Sequence, residues 1–225
     1  MFRVLPLFHA PFSSPFLHPC TETKLKHPHQ QFGGRATWLA NFIDTSNTDG
    51  AGHGTHVAGT IGGSTYGVAK KTQLFAVKVL DANGSGTISS VLAGINFVAS
   101  DSVNRTAAGQ CRKGSVANMS LGGGKSDSLN SAAAAAVKAG VFFAVAAGNS
   151  DDDAKYYSPA SEPSVCTVGA TDVADARAYF SNYGAGVDVF APGVDVLSSW
   201  IGGVDNTVSF PVDGLFWEGA ESLLC

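Results

Sequence analysis

Charge is scarce in this sequence. Only 14% of its 225 residues are Asp, Glu, Lys or Arg, and the formal net charge is −4. A basic footprint for a polyanion is therefore missing, and nucleic acid is excluded as an expected partner. No apolar run reaches the ~18 residues that a membrane-spanning helix requires, so no membrane partner is expected either. Cysteine is limited to Cys20, Cys111, Cys166 and Cys225, far apart and in no CxxC pattern, which removes a zinc module and leaves disulfides or buried thiols. Glycine is what the chain has in plenty, 27 residues set between apolar runs, with 44% hydrophobic content overall. Such a sequence reads as one α/β domain with many tight turns and a sizeable core.

The first 32 residues stand apart. Pro6, Pro11, Pro15, Pro19 and Pro28 and four of the six histidines fall there, with no helical or strand period, so 1–32 is expected to be irregular. Arg3 is followed by Pro6, Pro11 and Pro15, which interrupt the apolar stretch a secretory leader needs. From Arg35 onward the pattern changes to short apolar runs alternating with amphipathic segments. Gln73 to Leu80 predicts a buried strand; after the turn Asn83-Gly84-Ser85-Gly86, the residues Ile88, Val91, Leu92, Ile95 and Val98 fall at helical spacing. Val116 to Leu121 predicts a strand, Ser128 to Lys138 a helix ending at Gly140, and Val141 to Ala147 another strand, with shorter strands at Ser164 to Gly169 and Val187 to Phe190. Strand–helix–strand repetition implies right-handed crossovers and a parallel sheet, whose ligands bind at the C-terminal ends of its strands.

Three strings sit in the loops at those ends. Gly52-His53-Gly54-Thr55-His56-Val57-Ala58-Gly59-Thr60 places an imidazole at the first turn of a helix, between two glycines that leave it open to a substrate. Taken alone, His53 would read as a buried or capping structural histidine. The others are Ser120-Leu121-Gly122-Gly123-Gly124 and Ala146-Ala147-Gly148-Asn149, the latter alone a plain turn after a strand. With Thr65-Tyr66-Gly67-Val68-Ala69-Lys70, the run from Tyr157 to Ala170, and Phe180-Ser181-Asn182-Tyr183-Gly184, they make the stretch from Gly33 to about Ile201 resemble the subtilisin-like serine proteases (subtilases) of the proteinase K-like subfamily.

The resemblance implies an α/β, subtilisin-like three-layer fold with a mostly parallel central sheet, and a secreted serine endopeptidase of broad specificity. It assigns His53 as general base and Asn149 as donor to the oxyanion of the tetrahedral state. Gly84, Ser85 and Gly86 on one side, and Ser120, Leu121 and Gly122 on the other, would flank a substrate strand, with Ala146, Ala147 and Gly148 completing the cleft. A structural calcium ion is implied at Pro163, Val165 and Asp188, an oxygen donor set with one carboxylate; no organic cofactor is implied. Cys111 and Cys166 match half-cystines of the family, and a Cys20–Cys111 bridge is one pairing left open.

Two family motifs have no counterpart. Counting back seven residues from His27-Pro28 puts Cys20-Thr21-Glu22 where Asp-Thr-Gly is expected, with Glu22 a candidate substitute, whereas Asp44-Thr45-Ser46 falls in a segment the family uses differently. Thr207-Val208-Ser209 leads into Phe210-Pro211-Val212-Asp213-Gly214, not into Gly-Thr-Ser-Met-Ala and the helix it opens. The reading is therefore of 1–32 as a non-family segment, 33–209 as an incomplete subtilase catalytic domain lacking the serine helix, and 210–225 as a non-family tail. Such a chain is expected to be inactive as written and poorly stable. The alternative is a non-catalytic pseudoprotease that binds peptides or a protease inhibitor; a metal site at His53 and His56 is a weaker third reading. A monomer acting on polypeptide, extracellular by resemblance, is expected. The sequons at Asn83 and Asn104 fit that setting, and the one at Asn118 lies in an apolar strand run.

Overall fold

The computed structural model describes residues 29–110 and 115–209, and the backbone of 5–9. In chain order its strands and helices are β1 (Leu5–His9), β2 (Ala36–Asn41), α1 (His53–Gly62), β3 (Gln73–Lys78), α2 (Ile88–Ala107), β4 (Ser115–Met119), β5 (Gly123–Gly124), α3 (Asp127–Lys138), β6 (Val141–Ala146), β7 (Tyr157–Ser158), β8 (Cys166–Thr171), β9 (Val189–Pro192), β10 (Leu197–Ser199) and β11 (Thr207–Ser209).

A seven-stranded sheet runs in the order β2-β3-β1-β4-β6-β8-β9. The pairs β2/β3, β4/β6, β6/β8 and β8/β9 are parallel, and β1 is antiparallel to both β3 and β4. Two reversals restore direction, so β3 and β4 point the same way and the six strands other than β1 share one C-terminal edge. Alternate residues of β3 show the layering. Phe75 and Val77 pack with Val91, Ile95 and Val98 of α2 and with Leu129, Ala133 and Ala136 of α3. Leu74, on the other side of the pleat, packs with Val57 and Ile61 of α1 and with Phe32. The result is the three-layer fold that the sequence implied, α2 and α3 on one face and α1 on the other.

Local chemistry explains the helices. Thr87 caps α2 by accepting from Ser90 N, and Ser90 returns the bond in a capping box. Ser126 caps α3, which has Asp127 in its first turn and Lys138 in its last, both favourable to the helix dipole. In α1 the N-cap is Gly52, with no side chain to offer, and Asp49 supplies the missing acceptor from outside the helix.

Several boundaries differ from the sequence reading. The strand expected at Ser164–Gly169 is Cys166–Thr171, and that at Val187–Phe190 is Val189–Pro192, because Val165 and Asp188 belong to the loop leading into the sheet. No strand was expected within 1–32, yet β1 lies there; its pairing with β3 and β4 is long-range and leaves no local period to read. The segment β2 was also unread, being an edge strand with a bulge between Trp38 and Ala40. The β10/β11 hairpin packs β10 against α1, where Ser198 donates its hydroxyl hydrogen to the carbonyl of His56.

Candidate active site

Shared strand direction gathers the sequence candidates at one edge. The loop after β3 carries Gly84, Ser85 and Gly86; that after β4 carries Ser120, Leu121 and Gly122; the end of β6 carries Ala146, followed by Ala147, Gly148 and Asn149; and the loop from parallel β2 delivers His53 as the first residue of α1. Gly84, Ser120, Leu121, Ala146 and Ala147 are buried, whereas Ser85, Gly86, Gly122, Gly148 and Asn149 are half-buried.

His53 departs from the expectation of an open imidazole. It does stand at the first turn, but at 1% exposure it is enclosed. Long-range packing, invisible to the local sequence, builds the surroundings of that turn. Gly52 has φ +84° and lies against the indole of Trp200, so near that a Cβ on it would sit 2.5 Å from the ring. Asp49 fixes the approach to the turn: its Oδ1 accepts from Ala51 N and Gly52 N, and its Oδ2 accepts from Thr55 N and Thr55 Oγ1. A carboxylate with four hydrogen bonds here also complements the positive end of the helix dipole.

The Asn149 loop is held from a distant segment. Asn182 donates from Nδ2 to the Ala147 carbonyl and accepts through Oδ1 from Ser150 N and Asp152 N. Gly148, at φ +111°, is obligatory because a Cβ there would strike the Asn182 amide. The Asn149 Oδ1 is buried without a hydrogen-bond partner, so this side chain is not committed to supporting the loop. Asp81 organises the other wall, accepting at Oδ1 from Asn83 N and Ser85 N. Asp49, Asp81, Asn182 and Trp200 were missed by sequence reasoning. The string Phe180–Gly184 was a usable signal for Asn182; nothing local marked Trp200.

Asp44, whose Asp-Thr-Ser imitates a catalytic turn, is committed elsewhere. Lys78 Nζ donates to both of its oxygens at 3.0 and 2.8 Å, and Asn41 Nδ2 and Ser46 N donate to Oδ1. The hydrogen bond from Lys78 chiefly, then that from Asn41, lowers its carboxyl to about 2. His56 is fully buried and donates through Nε2 to the Val208 carbonyl, which takes that nitrogen away from any metal. Among the described residues no cluster of three His, Cys, Asp or Glu side chains could hold a metal ion.

At the calcium candidate, Pro163 is exposed and Val165 buried just before β8, and Asp188 is exposed just before β9. Asp188 Oδ2 accepts from Thr167 N at 2.7 Å while Asp188 N donates to the Thr167 carbonyl, which fixes the carboxylate and leaves Oδ1 over. A carboxylate fixed in this way is the kind of oxygen donor that suits a hard cation. Cys166 opens β8 and is half-buried; Cys20, Glu22, Cys111, Cys225 and the segment 210–225 lie outside the described residues. Asn118 is 2% exposed, with Nδ2 donating to Ser120 Oγ, which closes that sequon to a glycan. Among the described residues no helix is long and apolar enough to cross a membrane.

Fold and edge together define an open-sheet α/β protein whose polar site lies at the C-terminal ends of its parallel strands. The chain belongs to the subtilase family, whose model matches residues 27–216. It is 60% identical over 188 residues to the subtilisin-like serine protease AsES of Sarocladium strictum, 57% to a cuticle-degrading protease of Metarhizium anisopliae and 55% to proteinase R of Parengyodontium album. Each match covers 84% of this chain and 47% of the relative, so the chain spans about half the length of the curated relatives it matches. A crystal structure of a cold adapted subtilisin-like serine proteinase superposes with a TM-score of 0.73 at 43% identity, covering 89% of this chain and 69% of that one.

Proposed function

We propose that these 225 residues carry the general base, the oxyanion donor and the substrate walls of an extracellular serine endopeptidase, and not its nucleophile. In this reading His53 accepts the proton of an attacking hydroxyl, and the Asn149 amide donates to the carbonyl oxygen as it becomes negative, where a fixed donor is worth most. Gly84–Gly86 and Ser120–Gly122 pair with an extended polypeptide through main-chain bonds, so recognition depends little on its sequence. The observation that carries the reading is Asn149: its half-buried amide stands at the strand edge with a buried oxygen that bonds to nothing, while the Asn182 side chain and main-chain bonds such as Asp151 N to the Phe180 carbonyl hold the loop. The enclosure of His53 favours a second reading, a chain that binds peptide or a protease inhibitor without cleaving it. The relative named for degrading cuticle supports an extracellular setting.

Calcium belongs to the proposal, with the carbonyls of Pro163 and Val165 and the Asp188 carboxylate as its ligands. When bound, it would tie the loops before β8 and β9 together and stabilise the fold. At a hundredfold excess over its Kd it would add about 2.7 kcal/mol, a gain that EDTA and Asp188→Asn should each remove in thermal unfolding.

The peptide site is tested by titrating a blocked tetrapeptide, succinyl-Ala-Ala-Pro-Phe amide, into the ¹⁵N-labelled chain. Shifts concentrated at Ser85, Gly86, Leu121, Gly122 and the Asn149 side chain are expected, the last disappearing in Asn149→Ala. Shifts scattered elsewhere, or none at millimolar peptide, would overturn the assignment of this edge.

A further inference from the structure

The fold treats the three Asn-x-Ser/Thr sequons of the chain differently. Asn118 is buried in β4 and its amide is spent on Ser120 Oγ. Asn83-Gly84-Ser85 stands at the tip of the turn that leaves β3. There Gly84 N donates to the Asp81 carbonyl, Asp81 N donates to that of Ser85, and Ala82 and Asn83 are exposed. Asn104-Arg105-Thr106 lies on α2, with Asn104 and Thr106 exposed and Arg105 folded over the Phe75 ring and onto Asp101. Among the described residues nothing bonds to the side-chain amide of Asn83 or of Asn104.

Position gives the two open sequons different consequences. Asn83 immediately precedes Gly84, Ser85 and Gly86, the wall assigned to the peptide strand. The turn that carries it is braced, because Asp81 Oδ1 also accepts from Asn83 N and Ser85 N. A bulky group at its tip is therefore held beside the cleft and does not swing away with the loop. From that wall α2 runs back along the sheet, and Asn104 lies about 24 Å beyond its start at 1.5 Å per residue, toward the opposite edge.

We infer that Asn83 is an N-glycan acceptor whose glycan makes the peptide edge a size filter, open to short peptides and narrowed against loops of folded proteins; the filter rests on the peptide-binding reading above. An acceptor needs what is found here, an exposed and uncommitted amide in a surface turn with a hydroxyl residue two places on. In the transfer the Asn83 amide nitrogen displaces a lipid diphosphate from C1 of the first sugar of an oligosaccharide donor. The C–N bond forms, the C1–O bond breaks, the lipid diphosphate leaves and the amide gives up one proton. A glycan at Asn104, at the far end of α2, would not reach the cleft wall.

The full chain is secreted from yeast behind a cleavable leader, so that the test does not depend on the chain's own route of export. Peptide-N-glycosidase in H₂¹⁸O followed by peptide mapping should mark Asn83 with ¹⁸O. Binding is then measured for succinyl-Ala-Ala-Pro-Phe amide and for the same four residues displayed in a loop of ubiquitin. Asn83→Gln should bind the ubiquitin display several-fold more tightly than wild type and the free tetrapeptide equally, whereas Asn104→Gln should change neither. Should Asn83→Gln fail to fold, trimming the Asn104→Gln glycoprotein to a single sugar with endoglycosidase H makes the same comparison with Asn83 intact. An unmarked Asn83, or an affinity for the display that is the same with and without the glycan, would overturn the inference. A marked Asn83 in a chain that binds neither ligand, glycosylated or trimmed, would overturn the peptide edge and the filter with it, and would bear out the acceptor.

Discussion

The two faces of the sheet are built on different terms. On the α2/α3 face, Val77, Val79, Ile95, Val98, Met119, Phe143 and Val145 interlock at 1% exposure or less. On the α1 face, polar and special groups are buried alongside the apolar ones. His53 and His56 are enclosed, the Ser199 hydroxyl and the Trp38 indole nitrogen are buried without partners, and a cavity bordered by Trp38, Ala58 and Trp200 lies beside α1. Enclosing such groups lowers stability, since each unmet polar atom forfeits its solvation. The first face therefore holds the fold together, and the second gives up stability to enclose polar groups, among them the proposed base His53.

The contrast is broken or sharpened by substitution. Phe143→Ala, on the α2/α3 face, should lose about 3–5 kcal/mol in urea unfolding, because neither its contacts nor its volume can be replaced; a loss below ~1 kcal/mol would mean that this face is not the mechanical core. Next comes Gly52→Ala on the α1 face, which meets a left-handed backbone and the Trp200 ring together. It should cost about 2 kcal/mol and alter the near-UV circular dichroism of Trp200. Asp49→Ala, which leaves Thr55 N and the approach to His53 without their acceptor, should cost about 1 kcal/mol, and its damage in amide exchange should be confined to the first turn of α1.

Smallest is a pH effect at the margin of that face. Asp44 sits at about 2 in the folded chain and at the ordinary 3.8 unfolded, held down chiefly by the hydrogen bond from Lys78. A depressed folded value means that the contribution is fully present above 3.8 and is lost as pH falls through about 2. Wild type should therefore lead Asp44→Asn in thermal midpoint above about pH 4, and the lead should shrink as pH falls toward 2. A lead that stays constant over that range would show that the Lys78 pairing carries no such linkage.

The same division governs what was legible in the sequence. The α2/α3 face could be read because its contacts are periodic: Val91, Ile95 and Val98 were placed on one side of a helix by spacing alone, and the structure buries all three. The strands β3, β4 and β6 were likewise found from apolar runs, to within two residues at each end, with Leu80 and Leu121 falling two residues past their strands. Strings of sequence also put His53, Asn149 and the two walls at one edge. What they could not give was the enclosure of His53 and the Trp200–Gly52 contact, which join residues nearly 150 positions apart. The roles of Asp49 and Asp81 were within reach, since an aspartate just ahead of a glycine-rich turn is a ready acceptor for its N–H groups. The strand β1 was beyond reach, because only its partners β3 and β4 define it.

The central claim is that this edge holds a subtilase's base and oxyanion donor without a nucleophile among the residues given. Labelling the purified 225-residue chain with a fluorophosphonate, followed by intact mass and peptide mapping, tests it most directly. The account predicts no serine adduct, with His53→Ala indistinguishable from wild type. A stoichiometric adduct on any serine, lost in His53→Ala, would contradict it and show that an activated nucleophile stands where none was assigned.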